Sequence, residues 1–108
     1  MNINFEDIKT VVHTNFRGGE KEVSLQVAED GKFKLLKGLL IPGATIGLHS
    51  HDVNAEIIYI IRGNATIFTG QDFLPLSEGM AHICQNGKTH SLQNLSEEDV
   101  VFFAVIAS

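Results

Sequence analysis

The stretch GATIGLHSHDVNAEIIYIIRG, residues 43–63, decides the fold, because it sets two histidines and a glutamate between glycines at fixed intervals. His49 and His51 are two residues apart, so in an extended chain both imidazoles project from the same face. Glu56 lies an odd step further on, so residues 52–55, which include Asp52 and Asn54, have to turn the chain. After that turn, a carboxylate beside two imidazoles forms a plausible facial set of ligands for a divalent transition metal.

A second stretch, residues 79–94, supplies a third histidine. His90 stands in a segment typical of a strand, three residues after Gly87 and four before Asn94. We expect the glycines of both stretches to serve turns between strands, because glycine adopts positive φ without steric cost. Asn94 is expected to act as a turn or hydrogen-bonding residue rather than as a ligand.

The first stretch resembles the first motif of the cupins at every fixed position: Gly43, five residues, His49, one, His51, four, Glu56, six, Gly63. The second stretch is similar to the second cupin motif, with Gly79, Gln85, Gly87, His90 and Asn94 at its intervals. Gln85 replaces the proline of that motif, and Met80 stands where many cupins carry an aspartate. Fifteen residues, 64–78, separate the two motifs, as in small single-domain members of the family.

This resemblance implies one cupin domain over residues 1–108, with an all-β, double-stranded β-helix (jelly-roll) barrel. It also implies a metal site formed by His49, His51, Glu56 and His90. Three imidazoles and one carboxylate can hold Mn, Fe, Co, Ni, Cu or Zn, and the sequence does not choose among them. Four protein ligands in an octahedral arrangement would leave two positions for water, substrate or dioxygen.

The rest of the chain fits an all-β pattern, since short segments with strand character are divided by spacers rich in Gly, Asn, Asp and Ser. One further segment, residues 5–12, is compatible with a helical turn. The predicted strands cover residues 22–28, 33–41, 44–51, 56–62, 65–69, 81–84, 89–95 and 99–106.

Composition excludes several classes of protein. The net charge is −5 with eight Lys and Arg, none of them clustered, which argues against a nucleic-acid partner. The first residues lack the pattern of a signal peptide, and the longest apolar run, residues 100–107, is too short to span a bilayer as a helix. We therefore expect a cytoplasmic protein without a membrane partner. Cys84 is the only cysteine, so no internal disulfide can form.

Alternation along the strands predicts which faces are apolar. If Glu56, Ile58 and Ile60 face the barrel interior, Ile57, Tyr59 and Ile61 face outward, and Ile46 and Leu48 likewise lie opposite the two histidines. Both faces would then be apolar, and uncovered apolar patches are uncommon on monomers. This predicts a covering sheet or a homodimer, for which exchanged N-terminal strands are one arrangement. On the strand of His90, by contrast, we expect a wet outer face formed by Thr89, Ser91 and Gln93.

His82 is the main candidate catalytic residue outside the motifs. It shares a face with Met80 and Cys84, and on an inward face it would lie near the metal as a general base, a hydrogen-bond donor or a fifth ligand. The alternative is a hydrogen-bonded histidine on the sheet surface. Other candidates for the pocket wall are Phe68 and either Phe102 or Phe103. The Arg17-Gly18-Gly19 segment is interpreted as a plain turn, or alternatively as a loop approaching the cavity mouth.

Three function classes remain open from the sequence. The first is a metal-dependent enzyme, of the oxygenase, decarboxylase or isomerase type, acting on a small organic acid, sugar derivative or phenolic compound. The second is a non-catalytic module that binds a small molecule or sugar. The third is a storage or stress role. Because one fold supports many activities, the retained ligand set favours the first two classes without selecting a reaction.

Overall fold

Ten antiparallel β-strands and two 3₁₀ turns make up the computed structural model, which describes all 108 residues. The glycines that frame the two motifs adopt positive φ, between 83° and 95°, at Gly43, Gly63, Gly79 and Gly87, which confirms their structural role. The 3₁₀ turns cover Phe5–Asp7 and Phe16–Gly18. The strands are β1 (Val11–Thr14), β2 (Glu22–Asp30), β3 (Phe33–Leu40), β4 (His49–Ser50), β5 (Ala55–Arg62), β6 (Asn64–Phe68), β7 (Phe73–Ser77), β8 (Ala81–Cys84), β9 (Thr89–Gln93) and β10 (Val100–Ala107).

The strands form two sheets. One has six strands in the order β1-β2-β3-β10-β5-β8, and the other has four in the order β4-β9-β6-β7. Sequential neighbours such as β5 and β6 lie in different sheets, so the chain passes back and forth between them. This is the double-stranded β-helix, or jelly roll, that the sequence predicts.

The core lies between the two sheets and follows from alternation along their strands. On β5, Glu56, Ile58 and Ile60 are buried, whereas the three residues between and after them, Ile57, Tyr59 and Ile61, are exposed, as predicted. The facing sheet contributes inward residues of β6 and β9. The largest fully buried apolar side chains are Phe102, Leu40, Ile60, Ile67, Leu92, Val23 and Val100.

The prediction of one continuous strand over residues 44–51 is wrong. Only β4 and an isolated bridge at Thr45 are extended pairings there. The backbone of Ile46 donates to Leu92 O over 2.8 Å, while Gly47 N donates to Phe16 O over 3.0 Å, in the loop before β2. Because these partners pull the chain away from a regular strand, Ile46 turns into the barrel instead of facing away from His49.

The segment before β4 also explains why the prediction for Ser91 is wrong. Ser91 was expected on a wet outer face of β9, but it is buried, and its hydroxyl donates to the carbonyl of Ile46. The correction concerns Ser91 alone, since Thr89 is exposed and Gln93 is half-buried on the same face.

Two strands were missed. β7 contains Pro75, which lacks a backbone donor, and the structure accommodates it because β7 is the edge strand of its sheet. β1 begins with two exposed valines, so it shows no alternation that would indicate a strand. The helical turn that the sequence allows over residues 5–12 is confined to Phe5–Asp7.

None of the helical turns in the structure has the length or hydropathy needed to cross a membrane. The cytoplasmic location and the single-domain organisation stay predictions.

Gly38 provides a test of the packing between β3 and β10. A methyl group at this position would overlap the Phe102 ring, which lies against it in the core. We expect Gly38→Ala to lower the free energy of unfolding by about 1–3 kcal/mol through overpacking, measured by urea denaturation. In combination with Phe102→Leu, the two losses should be less than additive, because the smaller side chain leaves room for the methyl group. Additive losses would contradict this account.

Candidate metal centre

Four side chains from three strands and one turn converge inside the barrel. His49 of β4 is paired across the sheet with His90 of β9, His51 follows β4, and Glu56 lies on β5 of the opposite sheet. Their ligand atoms all lie within 4.8 Å of one another. His51 Nε2 lies 3.0 Å from both His90 Nε2 and Glu56 Oε1, and the last two atoms are 2.8 Å apart. The structure thus brings together all four residues that the motifs single out.

The outer nitrogen of each ring has its own partner, which fixes the direction in which the ring points. His49 Nδ1 donates to the carbonyl of Gly47 over 2.7 Å, and His51 Nδ1 lies 2.7 Å from Asn54 Oδ1, to which it donates. His90 Nδ1 lies 3.2 Å from His82 Nε2. A neutral imidazole with its proton on Nδ1 presents the lone pair of Nε2, so the contacts of His49 and His51 with oxygen acceptors leave their lone pairs facing the centre, while either nitrogen of His90 can carry the proton.

Such a centre needs a positive charge. Nε2 lone pairs and a carboxylate oxygen about 3 Å apart repel one another unless protons or a cation lie between them. Two ligands of one ion, each bound at about 2.1 Å and at right angles, lie about 3 Å apart. The observed separations of 2.8–3.0 Å match that spacing, and His51, Glu56 and His90 are buried. The donor set therefore fits a divalent transition metal.

The ionisation of the groups agrees with this arrangement. Burial by itself raises the pKa of Glu56, but its hydrogen bond to His90 and the charges of the three histidines bring the pKa below its ordinary value. Burial lowers the pKa of His49, its hydrogen bond to Gly47 opposes this, and the charges of His90 and Arg17 outweigh that of Glu56, so the pKa stays below its ordinary value. The carboxylate is thus kept ionised and the imidazole neutral, and these are the forms that coordinate a metal.

A cavity of about 40 Å³ adjoins the four side chains. Its wall is mostly apolar, and its only other charged members are Arg17 and Lys34. Since one water needs about 10–15 Å³ measured in this way, the space admits a molecule of only a few non-hydrogen atoms. The apolar lining consists of Phe16, Leu25, Leu36, Ile46, Ile58, Leu92, Phe102 and Ile106.

Of the predicted aromatic wall residues, only Phe102 is in place. Phe103 faces the other side of β10, where its ring meets Phe5 edge to face. Phe68 stacks on Phe73, with ring centroids 4.5 Å apart. Neither ring lines the cavity.

His82 does not line the cavity either. It stands on β8 opposite Ile58, behind His90, with the two imidazoles stacked at 5.3 Å between centroids. Of the two residues expected to share its face, Met80 is exposed and Cys84 is buried beside Lys88, where burial raises the pKa of the thiol. His82 is therefore placed to act on the ring of His90 rather than on a molecule in the cavity.

Asn94, the last residue of the second motif, is fully buried and bonds only to protein. Its Nδ2 donates to the carbonyls of Leu40 and Glu98 over 2.9 and 2.7 Å, and its Oδ1 accepts from Ser96. These bonds join the end of β3 to the turn before β10, which confirms the expected hydrogen-bonding role.

Sequence reasoning did not assign the two cations of the wall to the site. Lys34 alternates with Leu36 on the inner face of β3, so period-two alternation could have placed it there. Arg17 reaches the wall from the loop between β1 and β2, and the alternative that this loop approaches the mouth is the one that the structure supports. Its position depends on the loop backbone, for which the sequence carries no periodic signal.

Comparison with known proteins agrees with the fold and the motifs. A family model described as "Cupin domain" matches residues 38–106. An oxalate-binding protein from Thermotoga maritima is 32% identical over 99 residues, which cover 86% of this chain and 82% of that protein.

Solved structures show the same architecture. A crystal structure from Thermotoga maritima, described as a predicted oxalate decarboxylase, has a TM-score of 0.91 at 28% identity and covers 99% of this chain and 98% of that chain. The polyketide cyclase RemF from Streptomyces resistomycificus has a TM-score of 0.80 at 18% identity, with coverage of 99% and 78%. At that identity the likeness concerns the fold alone.

Proposed function

Because the chain belongs to the cupin domain family, we propose that His49, His51, Glu56 and His90 bind a divalent transition metal, and that the protein uses it to bind a small organic acid. The observation that carries this proposal is the convergence of four ligand atoms at the wall of a small cavity. The bound ion would supply a Lewis acid for a carboxylate oxygen. Any of Mn, Fe, Co, Ni, Cu or Zn suits this donor set.

The cavity supports an organic acid over the other ligand classes. Its volume of about 40 Å³ is too small for a sugar derivative or a phenolic ring, but it suits an acid of a few atoms. Arg17 and Lys34 add positive charge to the wall, which favours an anion. Oxalate is the first ligand to test, since a relative of this chain is an oxalate-binding protein.

Binding without turnover is the reading that the cavity favours. Loss of carbon dioxide from an acid leaves a carbon that must take up a proton, and the wall offers no hydroxyl, thiol or carboxylic acid besides Glu56. Its remaining donors are the three histidines assigned to the metal, a guanidinium, which does not titrate in proteins, and the Lys34 ammonium, which pairs with Glu29 at 3.8 Å. Decarboxylation is the second candidate, because the structure with a TM-score of 0.91 is described as a predicted oxalate decarboxylase.

His82 is proposed as a positioning residue rather than a group that meets the ligand. For His90 Nε2 to coordinate, Nδ1 has to carry the proton and donate it to His82 Nε2, 3.2 Å away. Outer partners of this kind orient a metal-binding imidazole and raise its basicity.

The exposed face of the six-stranded sheet is proposed to associate with a second copy of the chain. Ile57, Tyr59, Ile61 and Ile83 are each 43–63% exposed there, and Ile57 and Ile83 are direct neighbours across β5 and β8. Ile61 adjoins Lys37, Arg62 and Glu78 around a surface pocket, so the charge-free part of the patch is formed by Ile57, Tyr59 and Ile83. A two-fold contact between identical patches of these three residues brings no like charges together.

Metal binding is tested by thermal unfolding of the metal-free protein with Mn²⁺, Co²⁺ or Zn²⁺. At a free concentration 100 times the Kd, an ion should stabilise the fold by about 2.7 kcal/mol and raise the Tm by about 10 °C or more. Glu56→Gln should weaken binding by about 100-fold or more, because loss of an outer partner alone costs about 10–100-fold. The exposed Glu97→Gln is the control, and an undiminished shift in Glu56→Gln would contradict the proposed ligand set.

The identity of the ligand is tested with the parent protein and the control variant Glu97→Gln. Isothermal titration with oxalate should show binding to the metal-loaded protein and to Glu97→Gln, but not after chelation of the metal. Release of carbon dioxide from oxalate by the loaded protein would establish the second candidate, and absence of oxalate binding would reject both.

For His82, two substitutions separate positioning from packing. His82→Leu removes the acceptor for His90 Nδ1 and should weaken metal binding by about 10–100-fold, measured by competition with a chelator. His82→Gln keeps an acceptor oxygen and should restore most of the affinity. If both variants bind metal as tightly as the parent protein, His82 has no role in the site.

Association is tested by sedimentation velocity at micromolar concentration, where a dimer is expected. Tyr59→Glu places a charge at the centre of the exposed patch and should shift the protein to a monomer, while the exposed Phe73→Glu on the other sheet should not. A monomeric parent protein would reject the proposal.

A further inference from the structure

The loop between β1 and β2 holds an arginine in an unusual backbone conformation. Arg17 has φ 53° and ψ 33°, and Asn15, two residues earlier, has φ 54° and ψ 43°. Residues other than glycine rarely adopt this left-handed conformation. Strained positions of this kind persist where the surrounding structure enforces them, and they cluster at ligand sites.

The surrounding structure enforces this one through close backbone contact. Gly47 N donates to Phe16 O over 3.0 Å, and Thr45 N donates to Glu20 O over 2.9 Å, so both ends of the loop are fastened to the segment before β4. Side chains are excluded at the contact: a methyl group on Gly47 would overlap the carbonyl of Arg17. The loop is thus fixed to the same segment that leads into His49.

The side chain of Arg17 reaches the cavity that adjoins the candidate metal centre. Its guanidinium carbon lies 5.7 Å from the centre of the Phe16 ring, and both residues line the wall. No carboxylate lies within 4.0 Å of it, whereas Lys34, the other cation of the wall, lies 3.8 Å from Glu29. Arg17 is therefore the cation of the wall that has no anionic partner.

We propose that Arg17 determines specificity by binding the second carboxylate of a small dicarboxylic acid whose first carboxylate is held at the metal centre. The inference rests on the proposed function and deepens it. A divalent ion and Glu56 together leave one positive charge, and the guanidinium adds a second, so a dianion balances the site. A planar guanidinium also matches a carboxylate with two parallel hydrogen bonds. The loop backbone is already in place, so the ordering that remains when the acid binds is that of the exposed Arg17 side chain.

The proposal predicts discrimination between acids with one and two carboxylates. Isothermal titration of the metal-loaded protein should give tighter binding of oxalate than of formate or acetate. Arg17→Gln should weaken oxalate binding by about 10–100-fold, the effect of losing hydrogen bonds to a charged group, with little change for the monocarboxylates. Arg17→Lys keeps the positive charge but loses the two parallel hydrogen bonds of the guanidinium. Its affinity for oxalate should fall between those of the parent protein and Arg17→Gln.

Lys21→Gln is the matched control. Lys21 belongs to the same loop, has a positive φ of 56° and carries the same charge, but its Nζ donates to Pro42 O and it does not line the cavity. The Lys21→Gln variant should bind oxalate with the affinity of the parent protein. An equal loss in Lys21→Gln and Arg17→Gln would mean that only overall charge matters, and would overturn the assignment.

The outcomes separate this inference from the proposed function. If the loaded protein binds oxalate and Arg17→Gln binds it equally well, the role of Arg17 is wrong and the metal-dependent function stands. If the loaded parent protein binds no carboxylate, the proposed function itself fails. Metal affinity, measured in parallel by thermal shift, should not be weaker in Arg17→Gln than in the parent protein, since Arg17 is not a proposed ligand and its positive charge acts on His49.

Discussion

The close approach of three imidazole nitrogens and one carboxylate oxygen, which only shared protons or a cation can stabilise, is the constraint on which the site in this barrel depends. His51, Glu56 and His90 hold their ligand atoms 2.8–3.0 Å apart, in a buried setting where water cannot screen the lone pairs. The fold withstands this because each ring is anchored from behind and because strands of both sheets fix the backbone. Glu56 comes from the six-stranded sheet and His90 from the four-stranded one. A cation bound among them would therefore also join the two sheets.

The anchors behind the rings show how local sequence shapes the site. Gly47 serves twice, since its carbonyl accepts from His49 Nδ1 while its lack of a side chain lets the Arg17 loop lie against it. Asn54 both belongs to the turn between His51 and Glu56 and accepts from the His51 ring. Turn formation and ring orientation are thus achieved by the same residues.

The convergence of the four candidate ligands could be predicted from the sequence because their spacing matches the two motifs and because residues two apart on a strand share a face. The same alternation gave the outward face of β5 correctly. It failed where tertiary hydrogen bonds replace a regular strand: Ile46 turns inward and Ser91 is buried because the segment before β4 runs irregularly alongside β9 and accepts the Ser91 hydroxyl at the carbonyl of Ile46. It also could not place Arg17, whose position follows from a left-handed loop closed by backbone contacts far apart in the sequence. The edge strand β7 was missed because it contains Pro75. A strand accepts proline only where no neighbouring strand needs its backbone donor, and the sequence does not show which strand lies at the edge.

The candidate metal ligands and the cations of the cavity wall lie in different parts of the chain. The family model matches residues 38–106 and so includes all four candidate ligands, but both cations of the cavity wall, Arg17 and Lys34, precede it. Family membership accordingly accounts for the capacity to hold an ion, a capacity compatible with many ligands. The positive charge of the wall comes from the N-terminal loop and the start of β3, whereas most of its apolar side chains, Ile46, Ile58, Leu92, Phe102 and Ile106, lie within the matched residues. On the proposed function, the charge of the ligand therefore depends on elements outside the matched residues and its size mainly on elements within them.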